Sequence, residues 1–160
     1  MNKEGHVLNA VLLSIGLGYV LHPSGDVPTF RAIAEMSVPI VLGALFPDVD
    51  TAFGKHRKTL HNLPVLGVFY AYPVYFGNLH YVWMGVATHY VLDLLGSKRG
   101  IALFYPYSKE YNLPVGVPVS SKWANPVTVG VTAVELALVA AVVHLDLPVQ
   151  DLTGTVAGLV

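Results

Sequence analysis

Residues 63–92 read LPVLGVFYAYPVYFGNLHYVWMGVATHYVL, a run without one Asp, Glu, Lys or Arg. It is too long for one average helix, and Gly77-Asn78 in its middle is a turn signal. The run therefore predicts two short apolar helices joined at that turn. Working outward, Val7–Leu21 carries no charge, and Ala32–Phe46 is interrupted only by Glu35. Pro126–Leu145 is interrupted by Glu135 and His144. Several of these stretches are shorter than the ~20 residues that cross a bilayer, so some tilt or pack inside the bundle. The expected fold is all-α: a polytopic membrane helical bundle of four to five transmembrane helices. Residues 1–160 form a single membrane-embedded helical domain, with a loop or lid region at 96–125. That loop is rich in aromatics and proline (Phe104, Tyr105, Pro106, Tyr107, Pro114, Pro118, Trp123), which suits a lid at headgroup level.

The composition agrees. Of 160 residues 54% are hydrophobic, and the mean hydropathy is +0.57. Charged residues make up 12%, about half the usual ~25%. A disordered tail needs the opposite balance. A net charge of −1 gives no basic field for nucleic acid. The absence of Cys excludes disulfides, thiolate zinc sites and a thiol nucleophile.

The few charges sort by loop. With a cytoplasmic N-terminus and five alternating helices, the inner segments are 1–6, 47–62 and 96–125. They hold Lys3, Lys55, Arg57, Lys58, Lys98, Arg99, Lys109 and Lys122, leaving only Arg31 outside, as the positive-inside rule requires. Val7–Leu21 is long for a signal peptide's apolar region, and no small-x-small cleavage site follows it. The first helix is therefore expected to be retained in a multi-pass cell-membrane protein.

Ionisable residues in or beside a membrane are costly, and each needs a reason. His6 opens helix 1, and Asp48 and Asp50 are expected to close helix 2. His56 and His61 lie in the following loop. His89 and Asp93 stand at i and i+4 on one face of helix 4. The topology brings all seven to one membrane face, although it was assigned from Lys and Arg alone. His22, His80 and His144 fall at the other. Each piece has a structural reading of its own: a hydrogen-bonded His–Asp pair, helix-end turn residues, an interfacial or solvated histidine. Four separated segments supplying the same chemistry to one face point instead to a metal site. Imidazole plus carboxylate without thiolate suits zinc best, with manganese, iron or magnesium as alternatives. Seven donors exceed what one four-coordinate ion needs, so one or two divalent ions are expected. Arg57 and Lys58 adjoin the ligands, either to steady anionic charge or as a lipid-facing anchor. Glu135 reads as a buried hydrogen-bonding partner or a channel residue. Glu35, one turn after Arg31, is expected to pair with it. No G-x-S-x-G or other nucleophile motif is present.

The ordered set His6, Pro47-Asp48-Val49-Asp50, His56-Arg57, His61, His89-x-x-x-Asp93, Gly100 and Leu103-Phe104-Tyr105-Pro106 resembles the YdjM-like family over about residues 5–106. Its members are described as membrane-bound, metal-dependent hydrolases of bacteria and archaea. Carried over by motif, the resemblance implies His6, Asp48, Asp50, His56, His61, His89 and Asp93 as metal ligands. The family's loop often reads His-Arg-Gly-x-Thr-His-Ser. Here Lys58 replaces the Gly, while Leu60 and Asn62 replace the Thr and Ser, which removes a hydroxyl contact to substrate.

The functional expectation is a metal-dependent hydrolase at the cytoplasmic membrane face. Metal-activated water attacks an ester, a non-ligating Asp48 or Asp50 takes the proton, and Arg57 or Lys58 steadies the anion. Basic neighbours favour a phosphoester substrate, and the interfacial position favours a lipid. The alternatives are a metal-stabilised structural or regulatory membrane protein without turnover, which wants a closed coordination shell, and an ion transporter. A transporter wants a polar path joining Glu135 to Glu35.

Overall fold

The computed structural model describes residues 3–96, 100–113, 116–117 and 121–145. Lys98, Arg99, Pro114 and Pro118 of the expected loop lie outside them. The described chain is helical: α1 (Lys3–Leu21), α2 (Val27–Leu45), a short 3₁₀ helix (Pro47–Ala52), α3 (Leu63–Phe76), α4 (Val82–Leu95) and α5 (Ala124–His144). An isolated antiparallel bridge joins Ile101 to Tyr111.

Local chemistry sets the boundaries. α1 begins at Lys3 and takes His6 into its first turn. α2 starts five residues before the apolar run. The Asp26 carboxylate accepts from the Thr29 N–H at 3.4 Å, and Pro28 sits in the first turn, where no N–H is missed. Hydrogen bonding from Ser24, with further bonds from Thr29, holds the exposed Asp26 carboxyl below its ordinary 3.8. Asp48 and Asp50 do not close α2. That helix stops at Leu45, and Pro47, which has no N–H and clashes with a preceding α-helical carbonyl, opens the separate 3₁₀ helix that carries both. α3 is capped by Asn62, whose Oδ1 accepts from Val65 N–H at 3.0 Å. Gly77 ends it in the left-handed region (φ 66°).

Three helical stretches are long and apolar enough to cross a membrane: Lys3–Leu21, Val27–Ala52 and Ala124–His144. α3 and α4, of 14 residues each, reach about 21 Å. The molecule is apolar outside and mixed inside. Among the described residues Phe30, Val38, Leu42, Val68, Val134 and Leu138 are exposed, while twelve polar or charged residues are buried beside thirteen apolar ones. This suits a hydrocarbon surround.

One core joins Ala10, Leu13 and Leu17 of α1 to Met36, Ile40 and Ala44 of α2, with Leu136 and Val139 of α5 packed against it. α2 and α4 meet backbone to backbone at two glycines. A Cβ on Gly43 would strike the Val82 carbonyl, and one on Gly85 the Ile40 carbonyl. The expected Arg31–Glu35 pair does not form among the described ion pairs. Both side chains are exposed and border a cavity of about 330 Å³ with His22, where an exposed pair would gain little.

Candidate metal centre

The close approach of α2 and α4 positions the first donor. His89 stands one turn beyond Gly85, and its Nδ1 lies 2.6 Å from the Ala44 carbonyl of α2. A carbonyl only accepts, so Nδ1 carries the proton and Nε2 presents a lone pair. The loop after the 3₁₀ helix positions the second. His61 Nδ1 lies 3.0 Å from Asp50 Oδ2, which leaves its Nε2 in the same state. The two Nε2 atoms face each other at 3.1 Å, and both residues are fully buried. Two lone pairs at that separation repel, and a cation, proton or metal ion, has to lie between them.

Two carboxylate oxygens complete the set. Asp48 Oδ1 lies 3.8 Å from His61 Nε2 and 3.7 Å from His89 Nε2. Asp93 Oδ2 lies 3.6 and 3.7 Å from the same two nitrogens. A tetrahedral zinc ion bound at ~2.0–2.2 Å separates its ligands by about 3.3–3.6 Å. The five observed separations, 3.1–3.8 Å, bracket that range. His6 stacks on His89 with ring centroids 3.8 Å apart, and its Nε2 is 3.4 Å from Asp93 Oδ1. Among the described residues neither of its buried ring nitrogens has a hydrogen-bond partner, which is costly unless a metal or proton completes it. Two trios, His6–His89–Asp93 and Asp48–His56–His61, each bring ligand atoms within 4.8 Å of one another. Between them they contain those four donors and add His6 and His56, so the residues fit one or two divalent ions.

All seven expected ligands thus meet in one cluster, in unequal positions. Asp50 stands behind the imidazoles. Its Oδ1 lies 3.0 Å from His56 Nδ1, and its Oδ2 also accepts from Leu60 N–H at 3.3 Å. Carboxylates placed so orient histidine ligands. His56 is at the mouth, its side chain 41% exposed.

A family model described as YdjM inner membrane protein matches residues 1–148. The chain belongs to the YdjM inner membrane protein family. No curated protein and no solved structure matches it.

In this YdjM-family chain, the two basic candidates part company. Arg57 Nη2 lies 3.8 Å from Asp93 Oδ2. Lys58 turns away, its Nζ 2.8 Å from Glu110 Oε1. Arg57 also holds a left-handed backbone (φ 66°), a strained state for a non-glycine residue that concentrates at functional sites. A cavity of about 300 Å³ lined by His56, Arg57, Gly100 and Glu110 opens beside them. The described part of the 96–125 loop is pinned to the same place. Ala102 N–H donates to the Arg57 carbonyl at 3.0 Å, and Leu63 N–H to the Leu103 carbonyl at 2.8 Å.

Sequence reasoning missed two supports of this YdjM-family site. The Tyr90 hydroxyl donates to the Leu60 carbonyl at 2.6 Å and accepts from Asn62 N–H at 3.2 Å. Asn62 Nδ2 donates to the Lys58 and Thr59 carbonyls, both at 2.9 Å. Asn62 therefore ties down the loop and caps α3 at once. The Asn-x-Pro pattern at 62–64 is a helix-start signal, but nothing local marks Tyr90. Glu135 resolves as a hydrogen-bonding partner, with Asn9 and Thr88. Glu35 lies exposed on α2, apart from it.

Proposed function

We propose that the chain is a membrane-bound, metal-dependent hydrolase whose ligands are His61, His89, Asp48 and Asp93, with His6 and His56 available to a second ion. The observation that carries this reading is the pair of buried Nε2 lone pairs facing each other at 3.1 Å between two carboxylates. A bound divalent ion, zinc best for this donor set, would lower the pKa of water towards 7 and polarise an ester. The chain's own groups do the rest. Asp50 holds His61 and His56 in orientation. Arg57, at the cavity wall, attracts an anionic substrate and steadies negative charge that develops there. His56, partly open at the mouth, is the group placed to take a proton. The substrate is a phosphoester or lipid ester reaching the site from the membrane face that carries the basic loops, assigned as cytoplasmic by the positive-inside rule.

A structural metal site is the second reading, favoured by one observation. Four convergent donors, three from fully or almost fully buried residues, would saturate a tetrahedral ion as closed structural sites do.

Elemental analysis of the purified protein in detergent tests the shared premise. We expect at least one equivalent of metal per chain, lost in His89→Ala and Asp93→Ala. Substoichiometric metal in the wild type, or retention in both variants, would sink the metal reading. Turnover of phosphoesters or lipid extracts by the loaded protein, abolished by His89→Ala, then supports the hydrolase. Full loading without turnover supports the structural site.

A further inference from the structure

Beside the ligand cluster, four polar side chains from three helices close a second network: Asn9 of α1, Thr88 of α4, and Thr132 and Glu135 of α5. Asn9 Nδ2 is 2.9 Å from both Thr132 Oγ1 and Glu135 Oε2. Thr88 Oγ1 is 2.6 Å from both Asn9 Oδ1 and Glu135 Oε1. These four contacts need four hydrogens. The Asn9 amide supplies two and the Thr88 hydroxyl one, while the Thr132 hydroxyl is spent on the Thr128 carbonyl at 2.9 Å. One hydrogen is missing.

Turning the Asn9 amide over does not cure the deficit. Its nitrogen would then donate to Thr88, which donates to Glu135, and Thr132 could donate to the relocated oxygen. That oxygen would face Glu135 Oε2 at 2.9 Å with no hydrogen between them. In either orientation the missing hydrogen has to sit on Glu135. The surroundings agree. Among the described residues no cation pairs with Glu135, and it borders a cavity of about 170 Å³ walled by Leu13, Leu17, Trp83, Met84, Val91 and Val139. A carboxylate there would be a charge without a described counter-ion at membrane depth, which proteins avoid by neutralising the group.

We propose that Glu135 is a neutral carboxylic acid in the native protein, and that it is the positioning residue through which α5 holds the metal centre together. Its proton goes to Thr88 Oγ1, whose own hydrogen goes to Asn9 Oδ1, and Asn9 returns an N–H to Glu135 Oε2. The ring locks α1 and α4 beside their donors: Asn9 is one turn from His6, and Thr88 is next to His89. α5 supplies none of the seven expected ligands, and this ring ties it to the helices that do. The positioning half rests on the metal reading above. The protonation half does not.

Infrared difference spectroscopy on the full chain reconstituted in bilayers at neutral pH tests the proton. Wild type minus Glu135→Gln should show a protonated-carboxyl C=O stretch that shifts in deuterium oxide. Glutamine mimics the neutral acid, donating to Thr88 and accepting from Asn9. Glu135→Gln should therefore keep the wild-type melting temperature and bind zinc within about twofold of wild type. Glu135→Ala should melt lower and bind zinc about tenfold or more weakly, the scale of losing a supporting partner. Absence of the carboxyl band overturns the neutral acid. A Gln variant that falls as far as the Ala variant overturns the network. Should the wild type bind neither zinc nor another divalent metal, the metal reading fails with the positioning role, while the band and the melting data still decide the proton.

Discussion

Asp48 and Asp50 stand two residues apart with the same side chain and opposite placements. Asp48 puts one oxygen among the facing Nε2 atoms of His61 and His89, and Asp50 grips the far side of His61 together with Nδ1 of His56. The 3₁₀ helix that carries them makes the difference, because its tighter turn aims neighbouring side chains differently from an α-helix. Replacing Asp50 with Asn should keep shape but weaken the hold on two Nδ1–H groups. We expect zinc affinity to drop about 10–100-fold with the helix content unchanged, measured by competition with a chromogenic chelator. An unchanged affinity would show that His61 needs no orienting group. Residue types and spacings made the convergence of the seven side chains legible in the sequence, since costly groups gathered on one side of an apolar chain. Their roles were not, because a role depends on which oxygen faces which nitrogen. The same holds for Arg57 and Lys58. Both are basic neighbours, and only the left-handed backbone at Arg57 and the presence of Glu110 separate them.

At the level of elements, the apolar runs gave the number and order of the helices, and the turn at Gly77 fell where expected. The ends were less legible. Caps such as Asp26 and Asn62, and the break at Pro47, act through single hydrogen bonds or clashes rather than through hydropathy. The most consequential contact between elements, α2 against α4, was invisible because it rests on two absent side chains. Gly43 and Gly85 let the backbones meet, and only then does His89 reach the Ala44 carbonyl. Gly85→Ala should force the helices apart, costing about 1–3 kcal/mol of stability and lowering zinc affinity by more than tenfold. Gly67→Ala is the control. A Cβ there meets nothing within 4 Å, and removing a glycine from a helix interior should stabilise slightly. Equal melting temperatures and equal metal binding in the two variants would refute the close approach as the source of the geometry.

Among the described residues, three long helices that each cross, with the α3–α4 hairpin, give an odd number of crossings whether the hairpin spans or dips in and returns. Topology reporters fused before Met1 and after Val160 should therefore read on opposite sides, with the N-terminal one cytoplasmic. Both reading on one side would break this architecture. The two short helices have a mechanical consequence as well. Where it spans, a rod of about 21 Å in a hydrocarbon layer of about 30 Å falls short by roughly a third of the thickness, a mismatch that sinking of the adjacent lipid would cover. A dimple so formed would lie where α4 carries His89 and Asp93 towards its end. Headgroups drawn down its slope would meet the mouth at His56 and Arg57 without leaving their leaflet.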